Sequence, residues 1–233
     1  MAANDSEKRA ENDAAKRAER DDDPRRTRWE TTTSLPLVIL SLLFLVAYSV
    51  RVLVTTLPSG VVGALTLVIA ATWAVFAADY LVRFALAVHK GAFFRENLPD
   101  LLYVVVPVLR PLLLLRKLRD VPYFHRRSGS AVRTGLVIHA ALFVVLFVYS
   151  ISLAVLAAER GAPGATIITF GDAVWWACVT VATVGYGDVY PVTGTGRFLA
   201  VILMFGGIGI VGVATATVVS YLNERILKQH RDG

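Results

Sequence analysis

Long apolar runs dictate most of what this chain can become. Stretches at about 35–57, 61–88, 134–158 and 196–222 carry few charges. Each reaches the roughly 20 residues that a helix needs to cross a bilayer. Backbone polar groups at that depth must be satisfied within the protein, so an all-α membrane protein is predicted. Composition agrees: 55% of the 233 residues are apolar and mean hydropathy is +0.58, leaving little for a separate soluble domain. The basic residues lie mostly before the first run, at 89–96, at 116–133 and at the C-terminus. Beside apolar runs that pattern is a topology signal, not a nucleic-acid footprint. It places both termini in the cytoplasm and demands an even number of spans in the cell membrane. Cys178 is the single cysteine, which excludes an intrachain disulfide and reads as a small packing residue. His89, His125, His139 and His230 are scattered, so neither a metal cluster nor a catalytic triad is indicated. No enzyme activity, cofactor, nucleic acid or small-molecule substrate is expected.

The N-terminal 30 residues mix acids and bases without an apolar stripe and cannot fold alone. They read as a frayed solvated helix interrupted at Asp21-Asp22-Asp23-Pro24, and not as a signal peptide. Arg25, Arg26, Arg28 and Trp29 fit either an interfacial anchor or a solvated linker. Pro36 suits the first turn of the first span. In the second span, Asp79 and Arg83 are four residues apart and share a face. Ionisable groups inside a span are costly and are functional candidates for that reason. Residues 97–121 hold two shorter pieces broken around Pro107 and Pro111. They form either one ordinary span or an antiparallel pair, giving six spans if the pair crosses and four if the region does not.

After the run at 134–158 and a loop at 159–164 comes a half-length segment, about 171–182, too short to cross. Asp172 is expected to cap it. Then follows Thr183-Val184-Gly185-Tyr186-Gly187-Asp188. Successive carbonyls can face one axis only if the backbone alternates between right- and left-handed regions. Left-handed conformations cost little only for glycine. Gly185 and Gly187 flank Tyr186 at that alternation. Half-span helices with irregular loops are tolerated in a membrane where they line water or are buried in protein.

From Asp172 to Gly212 the chain resembles the pore domain of prokaryotic potassium channels. Trp175, Trp176, Thr180, Thr183 to Asp188, Pro191, Gly196 and Arg197 carry the resemblance. It implies a selectivity filter in which Thr183, Val184, Gly185 and Tyr186 coordinate potassium as the permeant ion, with Asp188 at the outer mouth. Trp175 and Trp176 would support it or anchor the chain at the interface; Asp188 would accept from the Trp175 indole or add negative potential at the mouth, and the Tyr186 ring would pack on a pore-helix aromatic such as Trp176. Some members carry a glutamate where this chain has Val179. The family's hinge glycine falls on Gly207, amid Gly206, Gly209 and Gly212. Close helix packing is the competing reason for Gly209 and Gly212.

The first four helical pieces resemble a voltage-sensing domain. Phe76, Asp79 and Asp100 match the aromatic and acidic residues past which gating charges move. Arg110, Arg116 and Arg119 match the charge ladder, with Leu113 in one slot. Arg119, Arg126 and Arg127 are alternatively topogenic or lipid-facing. Three charges in four subunits supply at most roughly 28 kcal/mol per 100 mV if all cross fully.

The expected organisation is a charged tail at 1–30, a four-helix voltage-sensor-like domain at 31–121 and a linker at 122–133. A two-span pore domain with its re-entrant helix and filter follows at 134–223, then a short tail at 224–233. The resemblance implies a homotetrameric, potassium-selective, voltage-modulated channel in contact with membrane lipid. Alternatives are a voltage-independent channel with a relic sensor, an ion-transporter subunit or a non-conducting scaffold.

Overall fold

A computed structural model describes residues 24–87, 90, 91, 94, 97–113 and 129–232. Arg116, Arg119, Arg126 and Arg127 fall outside the described residues, as does most of the N-terminal tail. Every described element is helical: α1 (Pro24–Leu53), α2 (Ser59–Leu86), α3 (Leu98–Val105), a 3₁₀ segment (Pro107–Leu113), α4 (Gly129–Glu159), α5 (Phe170–Val181) and α6 (Gly194–Asp232). Four stretches are long and apolar enough to cross a membrane: Thr32–Leu53, Ser59–Leu86, Val137–Glu159 and Gly194–Ser220. The chain is therefore an all-α membrane protein.

Helix α1 starts earlier than the apolar run predicts. Pro24 occupies its first position, where a missing N–H costs nothing, and Pro36 lies inside the helix instead of in its first turn. The expected interruption at Asp21-Asp22-Asp23 lies outside the described residues; Pro24 starts α1. Helix α4 likewise begins at Gly129, within the stretch read as linker. At 98–113 the break falls at Pro107: α3 ends at Val105 and the chain continues as a 3₁₀ segment, while 114–121 of the second expected piece lie outside the described residues.

Helix α4 is the hub, packing on α1, the 3₁₀ segment, α5 and α6. One apolar core joins Val52 of α1, Leu109 and Leu112 of the 3₁₀ segment, Ile151 and Leu153 of α4 and Leu203 of α6. Lipid is as apolar as these side chains, so close packing and buried hydrogen bonds must hold the helices together. Two such bonds tie α1 to α4. Tyr149 Oη donates to Ser49 Oγ at 2.8 Å, and Arg160 Nη1 donates to the Val52 carbonyl at 2.7 Å. Helix α1 and the 3₁₀ segment therefore pack directly on the α4 of their own chain.

Candidate functional site

Helix α5 is positioned first at its N-terminus. Thr169, not Asp172, is the N-cap: its Oγ1 accepts from the Asp172 N–H at 3.1 Å, and Asp172 Oδ2 accepts from the Thr169 N–H at 2.8 Å. This is a capping box with aspartate in the glutamate place. Asp172 also accepts from the Ile168 N–H at 3.3 Å, so it closes the loop onto the helix. At the other end, the Val184 N–H reaches back to the Val179 carbonyl at 3.0 Å and the Thr183 N–H to Thr180 at 3.0 Å.

From there the backbone alternates. Thr183, Gly185 and Gly187 have φ of 58°, 60° and 74°, whereas no positive φ falls on Val184 or Tyr186. The two glycines were legible in the sequence. Thr183 was not: a β-branched residue with positive φ is an outlier that costs about 1–3 kcal/mol and persists where its surroundings enforce it. Residues 182–188 are exposed along the surface of the single chain.

One tryptophan fastens this strip. The Trp175 and Tyr186 rings stack with centroids 5.7 Å apart and planes 2° apart, and Trp175 Nε1 donates to Asp188 Oδ2 at 2.8 Å. Asp188 Oδ1 also accepts from the Val189 N–H at 3.0 Å. The indole N–H is the main reason the Asp188 carboxyl is held below the usual carboxylate range. Tyr186 therefore packs on Trp175 and not on Trp176, which is buried in the core shared with α4 and α6. Val179 is buried as well.

Glu159 is the functional-site residue that the sequence reading passed over, placing it in an external loop. It ends α4 with no exposed surface. Its Oε2 accepts from the Val192 N–H at 2.8 Å. Its Oε1 accepts from the Thr193 N–H at 2.9 Å and the Thr193 hydroxyl at 2.6 Å. The carboxylate thus staples α4 to the turn between the filter and α6. A Cβ on Gly196 would collide with Glu159 Oε1 and lie 2.8 Å from Pro191 Cβ, which explains that glycine. The signal was available: a carboxylate closing an apolar run needs buried donors.

Gly207 is buried, and an added Cβ would sit 3.3 Å from Val181 Cα of α5. At Gly206 it would collide with the Phe147 ring, whereas Gly209 and Gly212 have nothing within 4 Å. Within the chain, packing thus constrains Gly206 and Gly207.

In the N-terminal bundle the structure splits the anticipated constellation in two. Asp79 and Asp100 meet at Arg83, whose Nε lies 2.9 Å from Asp79 Oδ2 and whose Nη1 lies 2.6 Å from Asp100 Oδ2. Trp29 Nε1 donates to Asp79 Oδ1 at 3.0 Å. Arg110 is fully buried, and its Nη1 and Nη2 make no hydrogen bond among the described residues. Its guanidinium lies 4.6 Å from the Phe76 ring centroid and 5.5 Å from that of Phe44.

Comparison with known proteins covers the same region. The family described as Ion channel matches residues 136–224. A cyclic nucleotide-gated potassium channel of Mesorhizobium japonicum is 35% identical over 130 residues, 55% of this chain and 35% of the relative. A voltage-gated potassium channel of Aeropyrum pernix is 38% identical over 84 residues, 36% of this chain and 28% of the relative. A calcium-gated potassium channel of Thermoplasma volcanium is 44% identical over 64 residues, 28% of this chain and 18% of the relative. The chain thus spans about a third or less of the length of these relatives.

Proposed function

We propose that this chain belongs to the prokaryotic voltage-gated-like potassium-channel family, on its likeness over residues 136–224 to the family described as Ion channel and to the channels named above, and that it is one subunit of a homotetramer passing potassium passively across the cell membrane. One filter strip per chain requires four chains around an axis. The carbonyls of Val184, Gly185 and Tyr186, with the threonine oxygens of Thr183, would replace the hydration shell of the ion. Potassium is the permeant ion, and no cofactor takes part. The C-terminal end of α5 would lend partial negative charge to a cation below the filter. Both termini would be cytoplasmic. The observation that carries this reading is the alternating φ at Thr183, Gly185 and Gly187, fastened by Trp175.

Voltage modulation would come from the N-terminal bundle, with Arg110, Arg116 and Arg119 as the ladder and Phe76, Asp79 and Asp100 as the transfer site. One observation favours the second reading, a voltage-independent channel: Arg83 already engages both acids. A bilayer recording of the purified protein in asymmetric potassium, over a voltage series, tests both. The current should reverse near the potassium equilibrium potential, shifting about 59 mV per tenfold gradient. A reversal indifferent to that gradient sinks the selectivity reading. A flat open probability across the series selects the voltage-independent channel.

A further inference from the structure

The chain leaves the filter through residues 189–193, and every backbone N–H there is taken by a side chain. Val189 donates to Asp188 Oδ1, while Val192 and Thr193 donate to Glu159. Pro191 has no N–H to donate. That leaves Tyr190. The residue before a proline is confined largely to extended backbone, in which N–H and C=O point to the same side. One hydroxyl placed there can serve both, because it is donor and acceptor at once. Thr166 supplies it: Oγ1 accepts from the Tyr190 N–H at 2.8 Å and donates to the Tyr190 carbonyl at 2.8 Å.

Thr166 is fixed in turn by the loop that carries it. The Ala162 N–H donates to the Glu159 carbonyl at 2.8 Å and the Ala165 N–H to the Ala162 carbonyl at 3.2 Å, winding the loop tightly after α4. Ile167 is fully buried in the core that holds Ala173 and Trp176 of α5. The Ile168 carbonyl accepts from Arg160 Nε at 3.4 Å, and the N–H groups of Ile168 and Thr169 both end on Asp172. A side chain one position before a buried isoleucine and next to a capped helix start has little freedom to wander. The loop thus presents one hydroxyl, 24 positions ahead of its partner, to the outer end of the filter strip.

We propose that Thr166 is a positioning residue for the conducting filter: its hydroxyl clasps Tyr190 and thereby holds the outer end of the strip from Thr183 to Asp188. The functional half of this inference rests on the potassium-channel reading; the clasp does not. The test compares the full-length wild type with Thr166→Val and Thr166→Ala, which lack the hydroxyl, and with Thr166→Ser, which keeps it. Exchange of the Tyr190 amide is followed by NMR. Bilayer recordings give the duration of potassium current at constant voltage and the reversal potential in mixed sodium and potassium. Without the hydroxyl, the Tyr190 amide should exchange about two- to tenfold faster, the factor that one net hydrogen bond represents. The current should decay sooner by a similar factor, and Thr166→Ser should restore both. Unchanged Tyr190 exchange in Thr166→Val and Thr166→Ala overturns the clasp. Faster exchange with wild-type current duration and reversal potential overturns the positioning role. Current lost equally in Thr166→Ser overturns the part given to the hydroxyl. If the wild type carries no potassium-selective current, the channel reading fails and the positioning role falls with it, while the exchange series still decides the clasp.

Discussion

Replacing Gly185 by alanine separates backbone conformation from packing at the filter. The residue has φ of 60°, and an added Cβ meets no atom of its own chain within 4 Å. The cost within the chain therefore comes from forcing an L-residue into the left-handed region, about 1–2 kcal/mol. In a filter built from four copies it recurs four times, roughly 4–8 kcal/mol in all. At 1.36 kcal/mol per tenfold, that is about three to six orders of magnitude in the population of the alternating conformation. The expected outcome is a channel that assembles but passes little potassium, or passes sodium beside it. Single-channel recording and flux from potassium-loaded vesicles, with reversal potentials in mixed sodium and potassium, read both effects. Gly187→Ala, at φ of 74° and also without a neighbour within 4 Å, should behave alike. A Gly185→Ala channel with wild-type conductance and reversal potential would refute the argument from alternation.

Glu159→Gln replaces a carboxylate that accepts three hydrogen bonds with an amide that offers one oxygen. At about 1–3 kcal/mol per orphaned buried donor, melting should fall by several degrees and conduction should decay sooner; unchanged melting rejects the staple. Arg83→Gln leaves Asp79 and Asp100 without their cation, and breaking a buried pair costs about 3–5 kcal/mol; an unaltered melting curve would show that the triad contributes no stability. For pH the sign follows from Asp188, whose carboxyl is depressed below the ordinary 3.8 chiefly by the Trp175 N–H. Its contribution is complete above that ordinary value and is lost as external pH falls through the lower, folded one. Conductance should therefore hold between pH 7 and 5, and Trp175→Phe should move the acid loss upward; a wild-type midpoint near pH 6 contradicts this. Arg116→Gln should weaken voltage dependence, and an unchanged slope removes that residue from the ladder.

How much of this was legible in the sequence depends on the range of the interaction. The four long helices follow from run length alone, and the glycines of the filter follow from the handedness that only glycine adopts cheaply. The Trp175–Asp188 bond was one of two roles expected for Asp188 from its place just outside the filter, and the structure makes it across 13 positions. What stayed hidden was held by the tertiary fold. Thr183 takes a positive φ because α5 ends just before it and the next N–H turns back to Val179; no local rule places threonine there. Glu159 looked like a loop residue because its donors lie 33 and 34 positions later.

The glycines of α6 show why spacing cannot replace contact. Four of them fall within seven residues, and sequence offers no way to say which serve packing and which serve motion. The structure sets Gly207 against the Val181 backbone and Gly206 against Phe147, while Gly209 and Gly212 meet nothing of their own chain within 4 Å and α6 runs on unbroken to Asp232. Gly207→Ala therefore pushes the base of the filter helix, whereas Gly209→Ala only removes chain freedom, which stabilises a helix by about 0.5–1 kcal/mol. If α6 bends during gating, Gly209→Ala should alter the balance of open and closed states without disturbing selectivity, and Gly207→Ala should disturb conduction through the filter. Recordings of open probability and reversal potential separate the two. Gating changed by Gly207→Ala alone, with selectivity intact, would return the hinge to the position that the family resemblance assigns.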